Sequence, residues 1–199
     1  MITSSESDAR FRVWKSRAGT KYCTLGGLKG IERGYEIKRG MTRAANYPPD
    51  AYFEMSKNFP KQVALADSLS NLDLMVVVSK ALKDFLEAKN LVDVELLPVS
   101  IHDHHGRVAN PEFFVVNPIR IIDCIDKERS QLKWNPIDPT LISGCLKLVI
   151  NAGSIDGEVL LFRPKNLELF VFVREDVARE IGELGLSGTN FVEIEKFQY

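Results

Sequence analysis

Long apolar runs are missing from this chain of 199 residues. The longest, 74–78 and 169–173, fall far short of the roughly 20 residues that span a bilayer, so no membrane-crossing helix is expected. The opening MITSSESDARFR has none of the apolar core that a secretory leader needs, which points to a cytoplasmic protein. Cysteine is scarce. Cys23, Cys124 and Cys145 are odd in number and far apart, which argues against a disulfide frame or zinc knuckle and for buried, reduced thiols. No G-K-[ST] phosphate loop and no G-x-S-x-G elbow is present, so motifs alone assign no chemistry.

What is there is an ordinary globular composition with an uneven charge. Hydrophobic residues make up 45% of the chain, enough for a real core, and the length suits one domain over 1–199. The formal net charge of -1 hides two opposed parts. Over 10–43, ten Lys/Arg face Glu32 and Glu36, a balance of +8; from Ala44 onward, sixteen Lys/Arg face twenty-three Asp/Glu, a balance of -7. A basic region over 10–43 suits an anionic partner, nucleic acid included. The solvated face of a strand hairpin is the preferred alternative, because no aromatic stacking series or recognition helix accompanies the charge.

The densest apolar stretch is FFVVNPIRIIDCIDKERS, 113–130. It reads as two buried strand segments with a bend at Asn117-Pro118, since proline cannot donate to a ladder. It joins two similar halves, about 44–126 and 127–199. In the first, a strand over 72–78 leads to a helix over about 80–89, capped by Ser79 and striped by Leu82, Phe85 and Leu86, then a strand over 94–101. Asn90 suits the left-handed turn that ends a helix. The second begins at Asn166, 95 residues on, with a strand over 167–173. Glu175 and Asp176 open its helix, Val177, Ile181 and Leu184 stripe it, and Gly185-Leu186 closes it. An internal pseudo-repeat is one reading and two independent units the other. The expected fold class is α+β, a mixed and largely antiparallel sheet with two strand-helix-strand units.

Elsewhere the sequence predicts strands over 11–15 and 21–25 joined through Ala18-Gly19-Thr20, a glycine loop over 26–30 and a turn at Tyr47-Pro48-Pro49-Asp50. It further predicts a strand over 51–55, a short helix or turn over 63–69, and a hairpin pairing 144–150 with 158–163.

All three histidines fall in His102-Asp103-His104-His105, followed by Gly106 and Arg107. On a strand, His102 and His104 share a face, and imidazole and carboxylate are good ligands, so a metal-dependent hydrolase is one reading. No distant histidine remains to complete a ligand set. The other reading is a polar hairpin tip in which His102, Asp103, His104, His105 and Arg107 meet a protein partner. Asp123, Asp126 and Glu128 form one local cluster, the arrangement of turn caps more than of opposed acid and base. Cys145, in Ser143-Gly144-Cys145, has no histidine near it in sequence. Trp14 and Trp134 read as core or edge aromatics.

With VELLPVSI before it and LFRPKNLELFVFVREDVAREIGELGLSGTNFVEI after it, the stretch over 113–130 resembles the eleventh immunity-protein family of bacterial polymorphic toxin systems. The shared pattern is the aromatic-aliphatic strand ending in Asn117, the aliphatic run to Asp123 and Asp126, the charged stop through Ser130, the Leu161-Phe162-Arg163 strand and the closing Gly185-Leu186-Ser187-Gly188. It covers about 67–194. The resemblance implies a small cytoplasmic protein that binds and neutralises a cognate toxin domain, with no cofactor, no metal and no catalysis. It carries no site residues.

Overall fold

Short strands of alternating apolar residues are the commonest elements of the computed structural model, which describes residues 10–16 and 21–199. In chain order the first half holds β1 (Phe11–Trp14), β2 (Leu25–Lys29), α1 (Tyr35–Lys38), β3 (Tyr52–Met55), β4 (Ser68–Leu69), β5 (Val76–Ser79), α2 (Lys80–Ala88), β6 (Val94–His102) and β7 (Val108–Pro118). The second holds β8 (Ile121–Ile122), β9 (Gln131–Trp134), β10 (Ile142–Lys147), β11 (Leu161–Pro164), β12 (Val171–Arg174), α3 (Glu175–Glu183) and β13 (Phe191–Glu193). One sheet runs β2-β3-β6-β7-β5-β4, a second β13-β1-β12-β11-β8, and β9 and β10 form a separate ribbon. Strands β3 with β6 and β8 with β11 pair in parallel, and the other named pairs are antiparallel. The fold is α+β and mostly antiparallel, as expected.

The two strand-helix units share an arrangement. Val76 to Val171 and Lys80 to Glu175 are the same offset, and the paired elements have equal lengths. In both, the strand after the helix runs parallel to the strand before it with one antiparallel strand inserted: β7 between β5 and β6, β1 between β12 and β13. Ser79 Oγ accepts from Leu82 N at the start of α2, while α3 opens on Glu175 and Asp176 against the positive end of its dipole. Asn90 (φ 50°) and Gly185 (φ 66°) close the two helices in the left-handed conformation. The inserted strands come from different parts of the chain, so the likeness is one of architecture.

Strand alternation then sorts the core into three clusters. On β5, Val76 and Val78 face a central cluster and Val77 faces away from it; on β12, Val171 and Val173 do the same with Phe172 opposite. That central cluster also takes Leu82 and Leu86 of α2 and Val177, Ala178 and Ile181 of α3. Both sheets and both helices thus bury their apolar stripes in one place, at about 1.5–3 kcal/mol per fully buried large aliphatic side chain.

A buried cation pins the junction of the two sheets. Strand β7 ends at Pro118 in one sheet and β8 begins the crossing into the other, which is the bend expected at Asn117-Pro118. Arg163 on β11 is 2% exposed. Its Nε donates to Pro118 O (3.0 Å), Nη1 to Glu168 O (2.6 Å) and Nη2 to Asn117 Oδ1 (3.3 Å). Asn117 Nδ2 in turn donates to Met41 O and Glu95 Oε2, both at 3.0 Å. Glu95 collects the backbone N–H groups of Arg43 and Ala44 and the Thr42 hydroxyl. Gly40 (φ 69°) leaves the room: a Cβ there would stand 2.9 Å from Arg163 Cδ.

Several expectations fail for local reasons. Residues 26–29 are strand, not loop: Gly26 and Gly27 occupy a register shift in the β2–β3 ladder, where a bulge favours glycine. The strand expected over 21–25 begins only at Leu25 and pairs with β3, while β1 pairs with β12 and β13. The link expected at 18–20 lies outside the described residues. The strand over 72–78 starts at Val76, because the Asn71 side chain takes both backbone groups of Met75 (Nδ2 to O, 2.7 Å; N to Oδ1, 3.0 Å) and Leu74 turns at φ 57°. The strand over 167–173 likewise starts at Val171, after a turn. Residues 63–69 form a bridge from Ala64 to Tyr22 and then β4 rather than a helix. The hairpin of 144–150 with 158–163 is absent: β10 pairs with β9, and β11 with β12 and β8.

Two outcomes are expected. Asn117→Leu removes an acceptor from Arg163 and a donor from Glu95 and Met41 O, so urea unfolding should show a loss of about 2–4 kcal/mol at unchanged slope. The second concerns acid. Asp67 accepts from Ser187 N (2.8 Å), Ser187 Oγ (2.7 Å) and Ser79 Oγ (2.8 Å), joining the cap of α2 to the loop after α3. Burial raises its pKa, but these bonds outweigh it and hold the carboxyl below its ordinary value. Its stabilisation is complete above the unfolded value near ~3.9 and is lost as pH falls through the folded one. The urea midpoint of wild type should therefore drop more steeply between about pH 5 and pH 3 than that of Asp67→Asn; parallel curves would refute it.

Candidate functional site

The hairpin joining β6 and β7 places His102, Asp103, His104, His105 and Arg107 at one tip. His102 is the last residue of β6 and stacks on Tyr52 of β3 (ring centroids 4.3 Å apart, 17° between planes), while its Nε2 shares a hydrogen bond with Ser100 Oγ. His104 Nε2 donates to Ser56 O at 3.1 Å. Gly106 supplies the left-handed turn at φ 78°. Asp103 holds the loop: its carboxylate accepts from His105 N (2.8 Å), Arg107 N (3.0 Å) and Arg107 Nε (2.9 Å). Desolvation pushes that carboxyl up, but the hydrogen bonds from Arg107 and His105 prevail and hold it at about 2. The tip is thus ionised, internally braced and polar. His105 and Arg107 are its exposed members.

The structure keeps the three histidines in one hairpin but engages His102 and His104 with Ser100, Tyr52 and Ser56. Among the described residues, no three His, Cys, Asp or Glu side chains converge on a point that would hold a metal ion. The acidic cluster resolves into separate local contacts. Asp123 pairs with Lys165 at 2.8 Å, and Asp126 Oδ1 caps a turn by accepting from Glu128 N and Arg129 N. Burial pushes the Cys23 thiol up to about 11 and Cys124 up to about 12, and it raises Cys145, so the nucleophilic thiolate form is suppressed at neutral pH. Trp14 is core and Trp134 lies at the ribbon's edge.

Over its described residues, the basic region 10–43 is divided between the two sheets. Its strand β1 belongs to one sheet and β2 to the other. Three of its described cations are met by acids from later in the chain, Arg12 by Glu175 (2.5 Å) and Glu193 (3.1 Å), Lys38 by Asp73 (3.0 Å) and Lys29 by Glu54, while Arg33 and Arg43 pair with Glu36 inside the region. Part of the charge counted in sequence is thus paired across the fold. An open groove of about 1000 Å³ is lined by Arg10, Arg12, Arg129 and Lys147 together with Asp126, Glu175, Glu193 and Glu195. Its lining is mixed in charge.

One surface escaped the sequence reading. The loop between β9 and β10, Asn135-Pro136-Ile137-Asp138-Pro139-Thr140, is cross-braced: Asn135 Oδ1 accepts from Ile137 N (2.8 Å) and Asp138 N (3.1 Å), and Asp138 Oδ1 accepts from Thr140 N and Oγ1. Asn166 Nδ2 ties the loop to the body by donating to Thr140 O at 2.7 Å. Ile137 stands 93% exposed at its apex. Two prolines bracketing a lone isoleucine were the available signal.

No helix among the described residues is long and apolar enough to cross a membrane. A search of curated proteins finds no match. The family described as Immunity protein family (Imm11) matches residues 9–196, reaching well beyond the stretch over which the resemblance was read. With nearly the whole chain matched, including both sheets and the buried Arg163 junction, this protein belongs to the Imm11 immunity protein family.

Proposed function

We propose that this protein binds a cognate bacterial toxin domain stoichiometrically and silences it, protecting the cell that produces both. The match to the immunity family over 9–196 carries the reading. The action is by contact, without catalysis and without cofactor, and takes place in the cytoplasm as part of a polymorphic toxin system. Buried, high-pKa thiols, locally paired carboxylates and rigid hairpins suit a binder better than a reactive pocket. The central cluster shared by both sheets supports one domain over 1–199.

The β6–β7 tip is a contact for that partner, with His102, Asp103 and His104 shaping it and His105 and Arg107 reaching outward. A braced, ionised tip of this kind steers association more than it supplies affinity.

The deciding experiment is co-expression with the carboxy-terminal domain of the large secreted protein encoded in the neighbouring reading frame. That domain should arrest growth alone and fail to do so beside this chain; arrest that persists across adjacent candidates would end the reading. At the tip, Arg107→Gln should slow association with that domain about 3–10-fold, more at low salt than at high, with only a small drop in melting temperature because the Asp103 bonds to the backbone N–H groups of His105 and residue 107 remain. An unaltered association rate would remove the tip from the interface.

A further inference from the structure

We propose that a cavity at the seam of the two halves binds one small organic cation, an ammonium or guanidinium group carried on an apolar body the size of a single ring. The site goes beyond the immunity reading and does not depend on it.

The walls set the size and the apolar part. Leu91 and Val92, in the link from α2 to β6, face residues 159–161, which lead into β11, and Arg120 and Glu158 complete the lining. The space measures about 180 Å³. Packed interiors leave few voids larger than a water molecule, and an apolar cavity of roughly 150 Å³ is enough to take one benzene ring. Val159 and Leu161 are buried while Val92 is 72% exposed, so the lining runs from the core out to the surface.

Charge beside the cavity sets the sign. Asp93 Oδ2 lies 3.9 Å from Arg120 Nε, and Asp156 Oδ2 lies 4.0 Å from Arg120 Nη2, both too long for a hydrogen bond. Glu158 joins them, its backbone N–H donating to Asp156 Oδ1 at 3.0 Å. Asp93, Asp156 and Glu158 thus gather about the single guanidinium of Arg120, a local balance of -2. Two other cations reach this region and are already matched. Arg174 gives Nε and Nη2 to Asp176, both at 2.8 Å, and Nη1 to Gly157 O at 2.7 Å, while Lys89 pairs with Glu180. An apolar body in the cavity therefore leaves its head among carboxylate oxygens that still have lone pairs to accept with, and a cationic head suits them.

The acids are held by the backbone around them before any ligand arrives. Asp93 sits in the left-handed conformation (φ 58°) with its carbonyl accepting from Ile119 N at 2.9 Å. Asp156 O accepts from Val159 N at 3.0 Å, and Arg174 clamps the same turn at Gly157. Arg120 O accepts from Arg163 N at 2.9 Å, which ties this rim to the buried junction. A site fixed in this way forfeits little ordering entropy when it is filled.

Titration of the isotope-labelled full chain, read by amide chemical shifts, tests this with three probes of one shape: benzylammonium, benzyl alcohol and benzoate. Benzylammonium should shift the amides of Leu91, Val92 and 159–161 and bind about 3–5-fold more tightly than benzyl alcohol, a preference that fades with salt. Benzoate, the probe that Arg120 alone would select, should bind most weakly. Val92→Trp fills the cavity from an exposed position and should abolish these shifts at an unchanged melting temperature. Asp93→Asn with Asp156→Asn should erase the preference for the cation, since asparagine keeps the left-handed turn at 93 and the acceptor at 156. Glu32→Gln with Glu128→Gln, an equal change of net charge elsewhere on the surface, should leave that preference intact. No shift at these amides, benzoate bound as tightly as benzylammonium, or an equal effect from the second pair would overturn the site. Competition then reads the source of the cation. A toxin domain that displaces benzylammonium assigns the cavity to a lysine or arginine side chain of that domain, and one that leaves the probe in place assigns it to a free amine; both outcomes uphold the site.

Discussion

A positive charge buried at the meeting point of two sheets constrains everything around it. Taking a guanidinium out of water is tolerable only if its donors find well-placed acceptors, and Arg163 finds two backbone carbonyls and a carboxamide. The compensating negative charge is held one residue away. Asn117 lies between Arg163 and Glu95, its oxygen turned to the cation and its nitrogen to the carboxylate. Burial lowers the Arg163 pKa to about 10, opposed by Glu168, so the side chain stays charged at neutral pH. Only an amide of that length, in that orientation, satisfies both neighbours. The proline after it ends the strand, and the glycine at position 40 leaves the space; three unrelated-looking residues answer to one buried charge.

That junction also explains why the two strand-helix units behave as one body. Each unit alone would leave a helix stripe and a sheet face half covered, yet the central cluster draws on both at once. The Asp67–Ser187 contacts and the Lys89–Glu180 ion pair stitch the same seam from the helix ends. In the proposed immunity role such a seam would help, because a loosely hinged pair of halves would lose affinity to ordering on each encounter.

What could be read in sequence was what depends on near neighbours. The cap at Ser79, the apolar stripes of α2 and α3 and the left-handed closures at Asn90 and Gly185 are decided within a turn or two, and each was legible. The strand expected over 94–101 is β6, Val94–His102. Misreadings fall where a distant partner overrides the local signal. Gly26-Gly27 looks like loop until β3 lies beside it; Leu72 to Leu74 looks like strand until the Asn71 side chain takes the place of a ladder partner. Gln131 to Trp134 has too little apolar alternation to declare a strand, since only Leu132 packs inward. For the candidate surfaces, the polar tip was visible because histidine is so rare here, whereas Ile137 was hidden by being one aliphatic residue among many.

Strand β1 has a consequence for the order in which the molecule can be completed. Both its neighbours lie far along the chain and are made long after it: Phe11 aligns with Arg174, and Trp14 with Phe191. Until β12 and β13 have been made, β1 lacks its ladder partners, and its apolar residues must wait in an unfinished core. A chain cut short before β12 would therefore leave β1 unpaired and its sheet unclosed, so a prematurely ended message yields a product prone to aggregation and not a smaller folded protein.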